Sequence, residues 1–231
     1  MLLTMIYILL FIIVIAILLL PQWWIKRVIN KHSHERPDIK GSGAEFAQHL
    51  ISRLNLDISV EETKEGDHYS PNEKVVRLSK QHFHQRSLAA MVIAAHEVGH
   101  AIQDQQQDKH FLRSIRLSQL SFWVQKIAPI ALSVSPILLA LTKSPALSML
   151  TLLIGVAAVG VGTLVTLCNL PVEFDASFNK AMPLLKSGEY FSNEADYVAA
   201  NKILKAAAYT YVAGSLFNLL NLAYWLRLFR R

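Results

Sequence analysis

The stretch "RSLAAMVIAAHEVGHAIQDQQQ", residues 86–107, decides how the rest of the chain is read. It contains no proline and is rich in alanine, a composition that favours helix despite several β-branched residues. Its apolar character runs up to His96, which implies a helix buried along most of its length. His96 and His100 stand four residues apart, so both imidazoles lie on one helical face and can serve one ion. Glu97 follows the first histidine and projects about 100° around the axis. From there a carboxylate reaches water beside a metal without occupying the metal, the placement a general base needs. Gly99 costs about 1 kcal/mol relative to alanine, and a tight fit against a neighbouring element would account for it. The bland alternative is a hydrogen-bonded structural cluster, because buried polar groups need partners of some kind.

A catalytic zinc takes three protein ligands and keeps one position open. His32, His34, His82 and His84 lie in polar stretches, where a solvated surface position is the default. His110 sits where the helix would run toward an apolar block. A better third ligand lies in "NLPVEFDASFNKA", residues 169–181, where Pro171 can begin a helix and place Glu173 and Asp175 in its first turn. Two apolar segments separate this stretch from His96 and His100, and two crossings would return Glu173 to their side of a bilayer.

Those segments belong to a chain of 231 residues with 52% hydrophobic content and a mean hydropathy of +0.30, high for a soluble domain. Residues 2–20 carry no charge and would make a helix about 28 Å long, enough to cross a hydrocarbon core. The run ends in Pro21, Gln22, Trp23 and Trp24, which suits an uncleaved anchor with an interfacial aromatic belt better than a cleaved signal peptide. Residues 118–141, interrupted by Gln125 and Lys126, give a second span. Residues 146–170, with the small residues Gly155, Ala157, Ala158, Gly160 and Gly162, give a third. Residues 206–226 give a fourth candidate, with a buried core helix as its alternative.

The division expected is an anchor at 1–21, a segment carrying the histidine helix at 22–116, a transmembrane hairpin at 117–170, a returning segment at 171–205, and an apolar helix with a basic tail at 206–231. Lys26, Arg27, Lys31 and Arg36 follow the first run, which places 22–116 in the cytoplasm; the tail "RLFRR" disagrees if the fourth block spans. Residues 22–116 balance 14 Lys or Arg against 12 Asp or Glu, so no footprint for nucleic acid is offered. Cys168 is the only cysteine, which excludes a disulfide within the chain.

In the segment before the histidine helix, "SGAEFAQHLISRLNL" at 42–56 reads as an amphipathic helix capped by Ser42. Its apolar stripe is Ala44, Ala47, Leu50, Ile51 and Leu54, with Phe46 at the margin. "DISVEE" and "KVVRLS" suggest two strands joined by a loop containing "GDHYSPNE", 66–73, in which Pro71 would help to hold Tyr69 in place. "VVRLS" reads equally as an edge strand that pairs with an extended peptide or as an internal strand.

The blocks "GAEFAQHLI", "DHYSPNEKVVRLS", "RSLAAMVIAAHEVGHAIQ", "NLPVEFDAS" and "AAAYTYVA", in this order behind an apolar anchor, resemble the small bacterial membrane zinc metallopeptidases called the YugP-like, or putative neutral zinc metallopeptidase, family. That family is similar in turn to gluzincin membrane proteases of the HtpX and CAAX-protease type. The resemblance implies a mainly α membrane protein: a zincin-like HExxH helix with a small β-hairpin or sheet, packed on three to four transmembrane helices. It implies one catalytic Zn2+ on His96, His100 and Glu173, with Glu97 as base. Ser177 stands where the wider group has an aspartate supporting a histidine ligand, and Asp175, two residues away, is a weak replacement.

The activity implied is hydrolysis of peptide bonds in membrane or membrane-proximal proteins, at the bacterial inner membrane, by a multi-pass protein with a cytoplasmic catalytic segment. Its partners would be a protein or peptide substrate and the lipid bilayer. Tyr69 and His68 are candidates for a donor to the transition state, though nothing in their spacing selects them. Three other functions stay open. They are a zinc hydrolase of non-peptide amides or esters, a membrane scaffold or chaperone-like protein with a structural zinc, and, disfavoured by spans without convincing carboxylates, a metal transporter.

Overall fold

A computed structural model describes residues 19–20 and 22–209. They fall into two compact units: residues 19–112 together with 171–209, and Arg113–Leu170. The first unit is built on one buried helix, α4 (Leu88–Gln105), preceded by α1 (residues 22–31), α2 (Gly43–Arg53), strands β1 (Ser59–Thr63), β2 (His68–Ser70) and β3 (Val75–Ser79), and the short α3 (Lys80–His84). Every residue of α4 from Leu88 to Ala101 is buried. The helix starts where the Ser87 side chain accepts from the Ala90 amide at 3.2 Å.

The flanking elements supply α4's surroundings. A reciprocal capping box fixes the start of α2: Glu45 N–H donates to Ser42 Oγ at 3.3 Å, and Ser42 N–H donates to Glu45 Oε2 at 2.7 Å. The buried face of α2 is Gly43, Phe46, Ala47, Leu50 and Ile51, so Phe46 belongs to the core while Ala44 and Leu54 are half-buried. The stripe is thus rotated slightly from the expected one, because Gly43 approaches α3 closely; a Cβ there would lie 2.2 Å from the His82 carbonyl oxygen.

The sheet has the order β1-β3-β2. "DISVEE" and "KVVRLS" do not form a hairpin: β1 runs parallel to β3, in register Ser59 with Val75, and β2 lies antiparallel on the other side. The polar stretch between them contributes a strand of its own, which takes the antiparallel position. β3 is therefore central, with Val75, Val76 and Leu78 buried, and is not the peptide-accepting edge that its sequence allowed.

The second unit contains most of two long helices, α5 (Lys109–Thr142) and α6 (Pro145–Phe174), about 51 and 45 Å long. They are the two described helices long and apolar enough to cross a membrane, against the three to four expected. The expected first and fourth spans, 2–20 and 206–226, lie almost wholly outside the described residues. Ser135 and Ser148 join α5 to α6 by reciprocal bonds to each other's carbonyls, at 2.8 and 3.0 Å. Gly155 faces Leu132 so closely that a Cβ would sit 2.6 Å from its side chain.

Pro171 does not begin a helix. α6 continues through it to Phe174 and then widens into a π-helical segment, Asp175–Ala181, followed by α7 (Met182–Ser187) and α8 (residues 194–209). A proline inside a helix forfeits one backbone hydrogen bond without necessarily ending it. The π segment packs on α4, and the closest approach is at Gly99, where a Cβ would lie 2.7 Å from the Ala176 carbonyl oxygen. Gly99→Ala should therefore lower stability. Overpacking costs about 1–3 kcal/mol and exceeds the helix-propensity gain of about 1 kcal/mol. A thermal midpoint at or above wild type would contradict this packing.

Candidate metal centre

The close approach at Gly99 brings α4 alongside the end of α6, and three side chains meet there. Glu173 Oε2 lies 3.3 Å from His96 Nε2 and 3.4 Å from His100 Nε2. All three residues are buried, and their ligand-type atoms lie within 4.8 Å of one another. The carboxylate oxygen accepts no hydrogen bond although it is shut off from solvent. Buried polar atoms are normally satisfied, and one facing two imidazole nitrogens fits a cation shared by all three. The donor set, two nitrogens and one oxygen, suits zinc with a position left open.

The far sides of both imidazoles are held, and for His100 the partner fixes the tautomer. The Gln103 Nε2 group donates to the Val172 carbonyl at 3.0 Å and to Asp175 Oδ2 at 2.8 Å. Both are acceptors, so the amide oxygen must be the atom 3.0 Å from His100 Nδ1. His100 therefore carries its proton on Nδ1 and donates it to Gln103 Oε1, leaving Nε2 for the cluster. His96 Nδ1 lies 3.1 Å from Ser177 Oγ, and a metal on its Nε2 requires the matching arrangement.

Ser177, the departure from the aspartate pattern, is itself the partner of His96. Asp175 acts on the other histidine, through Gln103. The sequence held a signal for Gln103, three residues after His100 and so on the same helical face.

Charge in this pocket is finely opposed. Burial disfavours a protonated His100, but the adjacent Glu173 carboxylate outweighs it and raises the imidazole pKa to about 9. Burial raises the Glu97 carboxyl above its ordinary range; the two histidines pull it down, while Glu173 and Asp67 push it further up. Glu97 is buried next to His96 on the same helix.

The two candidate donors have hydrogen-bond partners of their own. The buried Tyr69 hydroxyl donates to Asp104 Oδ2 at 2.7 Å, and Lys74 reaches the same oxygen at 2.6 Å. This ties β2 and the start of β3 to the last turn of α4. His68 Nδ1 lies 2.9 Å from the Gly66 carbonyl. His68 is not among the residues whose ligand atoms converge. His82, expected on a solvated surface, is buried and paired through Nδ1 with Asp67 Oδ2 at 2.7 Å. Asp67 also accepts from the Ser79 amide at 2.8 Å.

Comparisons with known proteins agree with this geometry. The sequence matches the profile of the family described as "Putative neutral zinc metallopeptidase" over residues 7–230. It is 31% identical over 211 residues to the "Putative membrane protease YugP" of Bacillus subtilis (strain 168), an alignment covering 90% of this chain and 89% of that protein. No solved structure matches. The family's description implies zinc, and the relative's name, with two long apolar helices, indicates membrane association. With the match spanning nearly the whole chain, the protein belongs to the putative neutral zinc metallopeptidase family.

Proposed function

We propose that the chain is a membrane-bound zinc-dependent endopeptidase acting on peptide bonds of membrane or membrane-proximal proteins. The observation that carries this reading is the buried meeting of His96, His100 and Glu173, with Glu97 beside the first histidine and an unpartnered carboxylate oxygen at the centre. His96, His100 and Glu173 would hold the ion. When bound, it supplies Lewis acidity, polarising a carbonyl and lowering the pKa of water at its open position.

The chain's own residues do the rest. Glu97 takes a proton from the attacking water and returns it to the leaving amine. Burial raises its pKa above that of an ordinary carboxyl, which strengthens it as a proton acceptor. Gln103 and Ser177 hold the imidazoles with Nε2 turned toward the cluster. The basic residues after the first apolar run support a cytoplasmic position for this unit, and α5 and α6 support a multi-pass chain. Glu173 on the last turn of the long apolar α6 favours substrates close to the bilayer.

Metal content and peptide cleavage, measured together, test the reading. Glu97→Gln should remain folded and retain zinc while cleavage falls by about 10²–10⁴-fold. Full activity in that variant would point to a structural zinc instead, and wild-type cleavage of lipid amides or esters but not peptides would point to the other hydrolase. Glu173→Gln should lose zinc under dialysis, and full occupancy would remove it from the ligand set. Gln103→Leu should weaken zinc affinity by about 10–100-fold with Glu97 intact. An unchanged dissociation constant in a chelator competition would show that the Gln103 amide does not orient His100.

A further inference from the structure

In the first unit α1 and α8 lie side by side, with the Trp24 and Tyr209 rings 6.3 Å apart. Between them opens a groove of about 540 Å³. Its floor is apolar, formed by Val28, Ala195, Val198 and Ala199, and its cations are Arg27 and Lys31 from α1 and Lys202 from α8. Among the described residues, none of these three pairs with a carboxylate. The nearby Asp196 is already taken, held by both guanidinium nitrogens of Arg36 at 2.6 and 2.9 Å.

Burial first, then Lys31 and Lys202, lower the pKa of His32, against an opposing pull from Asp196. Cations gathered from helices some 170 residues apart in sequence repel one another unless an anion joins them.

We propose that this groove binds the phosphate headgroup of an anionic glycerophospholipid, with the first part of the acyl region against the apolar floor and Trp24. Two observations favour a lipid over a soluble anion. The uncharged run 2–20 leads directly into α1, and Trp23 and Trp24 beside the groove expose 55% and 38% of their surface, as residues of a water–lipid boundary do. The volume suits a headgroup with a short length of chain. A further concavity lined by Lys26, Arg27 and Lys31 shares two of these cations and extends the cationic surface along α1. The proposal rests on the membrane reading above but not on peptidase activity.

Native mass spectrometry of the full chain in mild detergent, with equimolar phosphatidylglycerol and phosphatidylcholine, tests it. Wild type should retain phosphatidylglycerol in preference. Lys31→Gln/Lys202→Gln should reduce that preference by about 30-fold, the loss expected for two cations at a lipid surface. Lys64→Gln/Lys80→Gln, at exposed positions elsewhere in the unit, should retain it. Unchanged zinc content in both double variants shows that the fold survives.

Equal retention of the two lipids by wild type, or full selectivity in Lys31→Gln/Lys202→Gln, overturns the proposal. So does displacement of the lipid by glycerol 3-phosphate at matching concentration, which marks a site for soluble anions. Reconstitution into vesicles separates the two readings. A chain that stays out of phosphatidylcholine vesicles refutes the membrane reading itself, whereas one that inserts but shows no lipid preference refutes only the groove.

Discussion

Two imidazoles and a carboxylate are buried together in one small volume, and the fold of the first unit is organised around keeping them there. Such groups are costly to bury without compensation, because each loses strong hydration. Compensation comes in layers. The nitrogens face a carboxylate oxygen, the far side of each ring is held by Ser177 or Gln103, and Gln103 in turn bonds to Asp175 and the Val172 carbonyl. A cation shared by the three ligand atoms would complete the set.

Backbone geometry makes this possible. α4 can carry polar groups in the interior only because neighbours close over it on every side, and Gly99 lets the Ala176 backbone approach within van der Waals range. The change from α to π winding immediately after Phe174 alters which faces the following residues present. Glu173 and Ser177 both turn toward α4, one to the Nε2 side of the histidines and one to the Nδ1 side of His96. One turn beyond His100, in the last turn of α4, Tyr69 and Lys74 converge on Asp104, so the sheet is tied to the helix by a buried hydroxyl–carboxylate bond with an adjacent ammonium.

Legibility in the sequence followed range. α2, its Ser42 cap and the buried α4 were readable because capping and helical periodicity are written within a few residues. The sheet was half readable: strand-forming runs were visible, but nothing local distinguishes a parallel pairing from a hairpin, or a central strand from an edge. His82 looked solvated because its neighbours are polar, yet Asp67, fifteen residues earlier, gives it a buried partner. Tyr69 was correctly marked as a residue held in place, but its hydroxyl goes to Asp104 and not to the metal cluster.

The sequence by itself determined that two imidazoles share one face of an apolar helix with a carboxylate beside the first, since a spacing of four residues fixes that geometry in any helix. It also determined that long apolar segments stand between this helix and its acidic complement. Only the tertiary structure decided how the complement is used: Glu173 against both Nε2 atoms, Ser177 on His96, and Asp175 reaching His100 only through Gln103. The reason is physical. Contacts between residues some 70 to 80 positions apart depend on the winding and approach of two helices, and a difference of one residue in a turn moves a side chain to another face.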